Sequence, residues 1–196
     1  MLATAAASVL LGATSLLFLA PPVVHLLLDV SGAATSIDLP VAETHRLSDA
    51  LVADLVRGGD FGVTSGGSPL LTPPERSHLA DVGSLLRHIL VVASVGGAVL
   101  VGAGARRRSV AVRAFGDGAV LLVVAAVAAG IAFAVAFDAT FAFAHGLVFA
   151  AGTWTFDEAS SHLVQLYPER FWIAAALGFC ATLIVAGSVA IRAARR

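Results

Sequence analysis

Two histidines, His78 and His145, stand where an apolar run meets polar sequence, and imidazoles so placed suit acid/base work on a lipid. An imidazole titrates near neutral pH. At a membrane boundary it keeps access to protons from water and still reaches a headgroup. The first lies in the stretch 72–82 (TPPERSHLADV), where helical spacing sets Glu75, His78, Asp81, Val82 and Leu85 along one stripe. Two carboxylates then flank the ring at i−3 and i+3, and each is expected to favour the imidazolium and hold its orientation. A plainer account gives Glu75 only a capping role and pairs Asp81 with Arg76, Arg87 or Arg170. The second histidine ends the stretch 137–145 (FDATFAFAH), where Asp138, Phe141 and His145 share a face if the helix persists. The phenylalanines around it suit acyl chains. Trp154 and Tyr167 fall at the expected outer interface, as membrane anchors or as substrate contacts.

These stretches need a membrane to sit against, and the composition supplies one. The chain of 196 residues is 58% hydrophobic and 13% charged, against about 25% charged in an ordinary soluble domain. Its mean hydropathy is +0.92. We expect an all-α membrane protein forming a single integral domain over 1–196, with spans at about 2–24, 79–101, 118–137 and 168–191, since about 20 residues cross the hydrocarbon core. Pro21-Pro22 should bend or end the first span. That segment lacks a basic start and an Ala-x-Ala site, so we expect a retained span rather than a cleaved signal.

Every positively charged side chain besides histidine is arginine. Arg106, Arg107, Arg108 and Arg113 lie between the second and third spans, while Arg192, Arg195 and Arg196 end the chain. The positive-inside rule makes both groups cytoplasmic, so both termini are inside and the loops 29–77 and 138–167 form a small extracytoplasmic cap. Nothing basic continues beyond the triplet, so topology explains it and no nucleic-acid partner is expected. Within the first outer loop, 44–57 (THRLSDALVADLVR) has the pattern of a short amphipathic helix ended by Gly58-Gly59. The stretch 62–69 (GVTSGGSP) reads as a mobile connection, with a small strand pair using Phe61, Val63 and Leu70-Leu71 as the alternative. Thr72-Pro73-Pro74-Glu75 is a helix start of capping-box type. Asp157 can cap a short helix through His162 and Leu166. His88 points away from His78, and His25, His45 and His162 are interfacial. The single cysteine, Cys180, reads as a small core residue.

Taken together, Glu75-x-x-His78-x-x-Asp81-Val82, then Phe141, His145, Phe149, Trp154 and Phe156-Asp157, then Leu166-Tyr167-Pro168-Glu169-x-Phe171 make the chain resemble the lipoprotein intramolecular transacylase family of four-helix bacterial membrane proteins. The resemblance covers nearly the whole chain and is stronger in its second half. It implies a bacterial cell-membrane enzyme with its active face extracytoplasmic. Members take a diacylglyceryl-modified lipoprotein and move the sn-2 acyl chain to the amine of its N-terminal cysteine, leaving the lyso-form. No cofactor is implied. On that reading His78 is the base at the amine, oriented by Asp81 and Glu75, and His145 polarises the ester or protonates the leaving oxygen, with the two roles open to exchange. Phe141, Trp154 and Tyr167 are the expected substrate contacts. No serine or cysteine stands in a nucleophile motif, which agrees with direct transfer and leaves an acyl-histidine intermediate open.

Two readings from other classes use the same residues. Glu75, His78, Asp81 and His145 could ligate zinc, although the sequence has no His-Glu-x-x-His arrangement, and we expect no metal. Alternatively the chain binds membrane lipid or assists envelope assembly without catalysis, its histidines being structural.

Overall fold

The structure, a computed structural model, describes residues 1–195. It is built of helices: α1 (Leu2–Phe18), α2 (Pro21–Ser31), α3 (Ala33–Ser36), α4 (Val41–Arg57), α5 (Pro73–Arg106), α6 (Arg108–Val135), α7 (Phe137–Val148), α8 (His162–Leu166) and α9 (Glu169–Ala194), with a minimal hairpin, β1 (Thr64–Ser65) and β2 (Ser68–Pro69). Three helices, α5, α6 and α9, are long and apolar enough to cross a membrane. A fourth span is present if α1 and α2, bent by 63° at their junction, count as one. The bend falls at Pro21-Pro22, where proline opens α2 and cannot continue α1. The protein is therefore a multi-pass, all-α membrane protein.

The chain forms two compact units. One comprises Met1–Phe18, His88–Val135 and Ala176–Arg196. Its helices meet through small residues. Gly118 lies against the backbone of Ala3 and Ala7, Gly96 against Ala5 and Ser8, and Gly12 against Ala93, so an added Cβ would collide at each. Such close approach is how helices gain packing energy in lipid, which gives no hydrophobic drive between them. Ala126, Cys180 and Leu183 form a buried cluster, as expected for the lone thiol. The outward valines of these helices, such as Val91, Val95, Val99, Val124 and Val185, are exposed, as lipid-facing residues are.

The other unit, Leu19–Arg87 with Ala136–Ala175, carries the polar chemistry. Here α4 is the amphipathic helix that 44–57 predicts, starting three residues earlier. It buries Thr44, Leu47, Ser48 and Leu51, and Gly58 closes it at φ 82°. The Arg87 guanidinium donates to the Leu55 carbonyl at 3.0 Å, and so satisfies an end of α4 rather than pairing with Asp81. The stretch 62–69 is a tight hairpin, which corrects its reading as a mobile connection. Gly66 and Gly67 take φ 58° and 83°, the left-handed pair that a two-residue turn needs, and Leu70 N–H closes on the Val63 carbonyl at 2.9 Å. The strands are shorter and one step further in than Phe61, Val63 and Leu70-Leu71 suggest.

The third apolar segment does not run unbroken to His145. Helix α6 ends at Val135, Ala136 takes φ −146° and ψ 65°, and α7 starts afresh at Phe137. The break separates the apolar run from the short helix that holds the histidine. Ser161, rather than Asp157, caps α8: its hydroxyl accepts from Val164 N–H at 3.2 Å. Asp157 instead closes the turn before it, accepting from Ala159 N–H at 2.8 Å.

Candidate active site

Glu75 is one of the most deeply buried polar side chains, 1% exposed, and its bonds define the start of α5. One carboxylate oxygen accepts from the Thr72 amide and hydroxyl, both at 2.7 Å. The first of these is the return bond of a capping box. The other oxygen accepts from the Ser161 hydroxyl at 2.5 Å and the Leu163 amide at 3.0 Å. Glu75 therefore ties the first turn of α5 to α8, 86 residues on. It is not turned towards His78, and the expectation that it orients the imidazole is corrected accordingly. Position i−3 offers the ring a carboxylate only if the carboxylate has no stronger claims on it, and four donors claim this one.

One turn further along α5, His78 is buried, 8% exposed. Among the described residues its Nδ1 has no hydrogen-bond partner. Asp81, one turn on from His78, is exposed. The neighbours of the ring are aromatic: Phe149 edge-on with centroids 4.9 Å apart, Phe156 at 5.8 Å and His145 at 6.2 Å, tilted by 32°. The four residues of the zinc alternative are thus not gathered as ligands. Among the described residues no group of three or more His, Cys, Asp or Glu side chains could hold a metal ion.

His145 is fixed from the opposite side. In α7 its Nδ1 lies 2.9 Å from the carbonyl of Phe141, one turn back, and a carbonyl only accepts, so the proton of the neutral ring sits on Nδ1. The Nε2 lone pair is left for chemistry. The ring stacks on Phe141 at 3.8 Å and lies 5.1 Å from the Trp154 indole and 5.5 Å from Phe149. Burial holds this imidazole below its ordinary range, against the upward pull of the Phe141 carbonyl.

Trp154 reaches the pair from the irregular segment between α7 and α8. Two features set its position: a turn in which Thr153 bonds the Ala150 carbonyl through both amide and hydroxyl, and Gly152 at φ 82°. Tyr167 lies elsewhere. Its hydroxyl is 2.9 Å from that of Ser48 on α4, and burial pushes the phenol up to about 12. It contacts Phe171 and Trp172, and Trp172 contacts Phe141 at 6.0 Å, so Tyr167 is two rings removed from the imidazoles.

The structure thus brings His78, His145, Phe141 and Trp154 together and leaves Glu75 and Tyr167 as supports. It adds to the site Phe149 and Phe156, two residues of the family motif for which no site role was expected. The first is legible as the i+4 neighbour of His145 on an extended helix face; the second reaches His78 only through the tertiary path of the 149–161 segment.

The residues of this geometry all fall within one stretch of the chain that a known family shares. The family model described as lipoprotein intramolecular transacylase Lit matches residues 66–172, more than half of the chain. The chain belongs to the Lit family. It is therefore a membrane acyltransferase of the lipoprotein intramolecular transacylase class. Among solved structures, the membrane-integral Lit of Bacillus cereus is similar over 99% of this chain and 91% of its own, at 19% identity and a TM-score of 0.77. Two variants of that protein, with one histidine changed to arginine or to alanine, are similar over 99% of this chain and 87% and 89% of theirs, with TM-scores of 0.70 and 0.71, again at 19% identity. At that identity the likeness is one of fold. No curated protein matches the chain.

Proposed function

We propose that this Lit-family protein moves the sn-2 acyl chain of a diacylglyceryl-modified lipoprotein to the amine of its N-terminal cysteine, with His145 as base, at the outer face of a bacterial cell membrane. The observation that carries the assignment is the Nδ1–H of His145 committed to the Phe141 carbonyl, which leaves Nε2 as the acceptor. This exchanges the roles expected from sequence, where His78 was the base. Support for the outer location comes from α5 itself. His78 lies in its second turn and Arg106 at its end, 28 residues later, or about 42 Å at 1.5 Å per residue. If the arginines mark the cytoplasmic side, the imidazoles face outward.

Donor and acceptor belong to one molecule, so the first task is positioning. Rings of Phe141, Phe149, Phe156 and Trp154 around two imidazoles form an apolar wall against which the glyceryl group and the cysteine can be folded together. Orientation of that kind is worth several orders of magnitude in rate. The free amine attacks the sn-2 carbonyl carbon, whose π electrons move to its oxygen. His145 Nε2 takes the proton the nitrogen sheds and returns it to the glycerol oxygen as the ester C–O bond breaks. An amide and an sn-2 hydroxyl result, with one proton moved from nitrogen to oxygen. His78, buried opposite, holds the ester in place by hydrogen bonding.

The test is mass spectrometry of a lipoprotein N-terminus in a host whose lipoproteins are otherwise only diacylglycerylated. Expression of the protein should yield the N-acylated lyso-form, and His145→Ala and His78→Ala should abolish it. A diacylglyceryl lipoprotein left unchanged by folded wild-type protein would overturn the reading. That outcome would favour a lipid-binding or assembly role.

A further inference from the structure

Among the described residues, two buried side-chain nitrogens lack a hydrogen-bond partner: Nδ1 of His78 and Nε1 of Trp154. Both rings face the same neighbour, His145, at 6.2 and 5.1 Å. An indole N–H can only donate, and a buried donor without an acceptor has lost its hydrogen bonds to water with nothing in exchange. Two unpartnered buried nitrogens, on rings that both adjoin the base, are what a site looks like when a partner arrives with the substrate. Nor is the indole there by default. The segment that carries it is irregular, pinned by the Thr153 bonds to Ala150 and the left-handed Gly152, a conformation that L side chains rarely adopt. Phenylalanine would serve an apolar wall equally well, as Phe149 and Phe156 do around it.

We propose that the Trp154 indole N–H donates to the sn-2 ester carbonyl oxygen and holds the oxyanion that forms there, which makes Trp154 a catalytic residue of the transfer. The inference rests on the transacylase reading above. When the amine adds to the carbonyl carbon, the C=O π pair passes to this oxygen, and its negative charge meets the indole N–H with His78 beside it. As the charge collapses, the C=O re-forms and the bond to the glycerol oxygen breaks with its electron pair. That oxygen takes the proton collected by His145. No other reactant is needed, and the donor, already bonded to the ester carbonyl, acts most strongly while charge is on the oxygen. In a wall of aromatic rings, with little water to screen it, such a bond is stronger in the transition state than in the ground state.

The experiment has two arms. In the first, Trp154→Phe keeps an aromatic ring and removes the donor. It should lower kcat by about 10²–10³-fold, the cost of one oxyanion donor, with KM little changed. Trp154→His, which restores an N–H, should recover part of the loss. A Trp154→Phe protein that melts like wild type and transfers at the wild-type rate overturns the proposal. The second arm reads wild-type protein, with Trp172→Phe used only to assign the resonance, and so does not depend on how the Trp154 variants fold. The indole resonance of Trp154, told from that of Trp172 with Trp172→Phe, is followed on adding an N-acetylated diacylglyceryl-cysteine peptide, which binds but cannot transfer. It should move downfield with the sn-2 ester and stay in place with the matched sn-2 ether; equal behaviour with both overturns the proposal. Wild-type protein that transfers nothing would refute the transacylase reading instead, and the indole arm would still report on the carbonyl contact.

Discussion

The same unit of this protein holds two pairs of histidines, and they are built on opposite principles. His25 and His45 stack with centroids 4.0 Å apart and 5° between planes. His25 Nε2 lies 2.8 Å from Asp49, and His45 Nε2 lies 2.8 Å from Asp29. Each helix carries a His-x-x-x-Asp pair, and the pairs are crossed, so α2 and α4 are clasped by two imidazole–carboxylate bonds. His78 and His145 sit further apart, among aromatic rings, with no carboxylate bonded to either. One pair is satisfied within the protein. The other is not, and unsatisfied imidazole nitrogens are what a reaction can use. An imidazole with a nearby carboxylate in the sequence is thus a poor guide to catalysis here; the pair with better partners is the structural one.

The sharpest way to break this comparison is to delete one imidazole from each pair. His145→Ala should lower the rate of acyl transfer by about 10²–10⁴-fold, the usual worth of a positioned base, with melting close to wild type. His45→Ala should leave the rate per folded molecule unchanged. Equal losses of activity in the two variants, measured on lipoprotein N-termini by mass spectrometry, would erase the distinction.

Glu75 offers the next largest effect, and of a different kind. Its removal leaves the Ser161 hydroxyl and the Leu163 amide without their acceptor, at about 1–3 kcal/mol for each buried donor. Glu75→Ala should therefore lower stability by at least about 2 kcal/mol in chemical denaturation. The rate per folded molecule should fall much less than in His145→Ala. A fully stable Glu75→Ala protein with a collapsed rate would mean that the carboxylate serves His78 after all.

The pH profile tests the base directly. Burial lowers the His145 value, so its neutral, accepting form persists to a pH below the ordinary imidazole range and is lost only as pH falls through that lowered value. Around neutrality the limiting ionisation should then be that of the substrate amine, near 8. The rate should rise about tenfold per pH unit below that point and level off above it. The same shift means that acid destabilises the fold through this residue, because the unfolded chain binds the proton more readily. A rate that falls as pH rises from 6 to 8 would point to a protonated His145 as the working form.

How much of this was legible follows from where each residue gets its information. Three apolar runs that form the long helices α5, α6 and α9, the amphipathic helix around Leu47 and Leu51, and the capping sequence at Thr72 are local patterns, and the structure has them; the first run is bent by 63° at Pro21-Pro22. His78 and His145 are legible because each stands at the edge of an apolar run. What failed were inferences from spacing alone. Glu75 and His78 share a helix stripe, yet the carboxylate is taken by Ser161 and Leu163, and no local rule announces a partner 86 residues away. Asp81 and Arg87 likewise do not pair, since the guanidinium is needed at the end of α4. Gly66-Gly67 signals a loop, but whether the loop is mobile or a tight turn depends on the strands beside it. Phe156 and the buried Trp154 N–H belong to an irregular segment with no periodicity to read.

The smallest effects belong to the supports, and they show what a satisfied polar group is worth. Tyr167→Phe removes the partner of the fully buried Ser48 hydroxyl and should cost about 1 kcal/mol, a typical net hydrogen bond, with transfer retained. The clasp should cost less still. Asp29 and Asp49 are 50% and 45% exposed at their side chains, so water screens both bonds, and exposed pairs contribute about 0.2–1 kcal/mol. His45→Ala also removes the stacked ring, which packs α4 against α2. We expect a loss within that range in chemical denaturation, and the part due to charge should shrink as salt is raised. If His45→Ala instead removed several kcal/mol, the crossed bonds would be a principal anchor of α2 on α4, and the contrast between the pairs would lie in stability rather than in availability for chemistry.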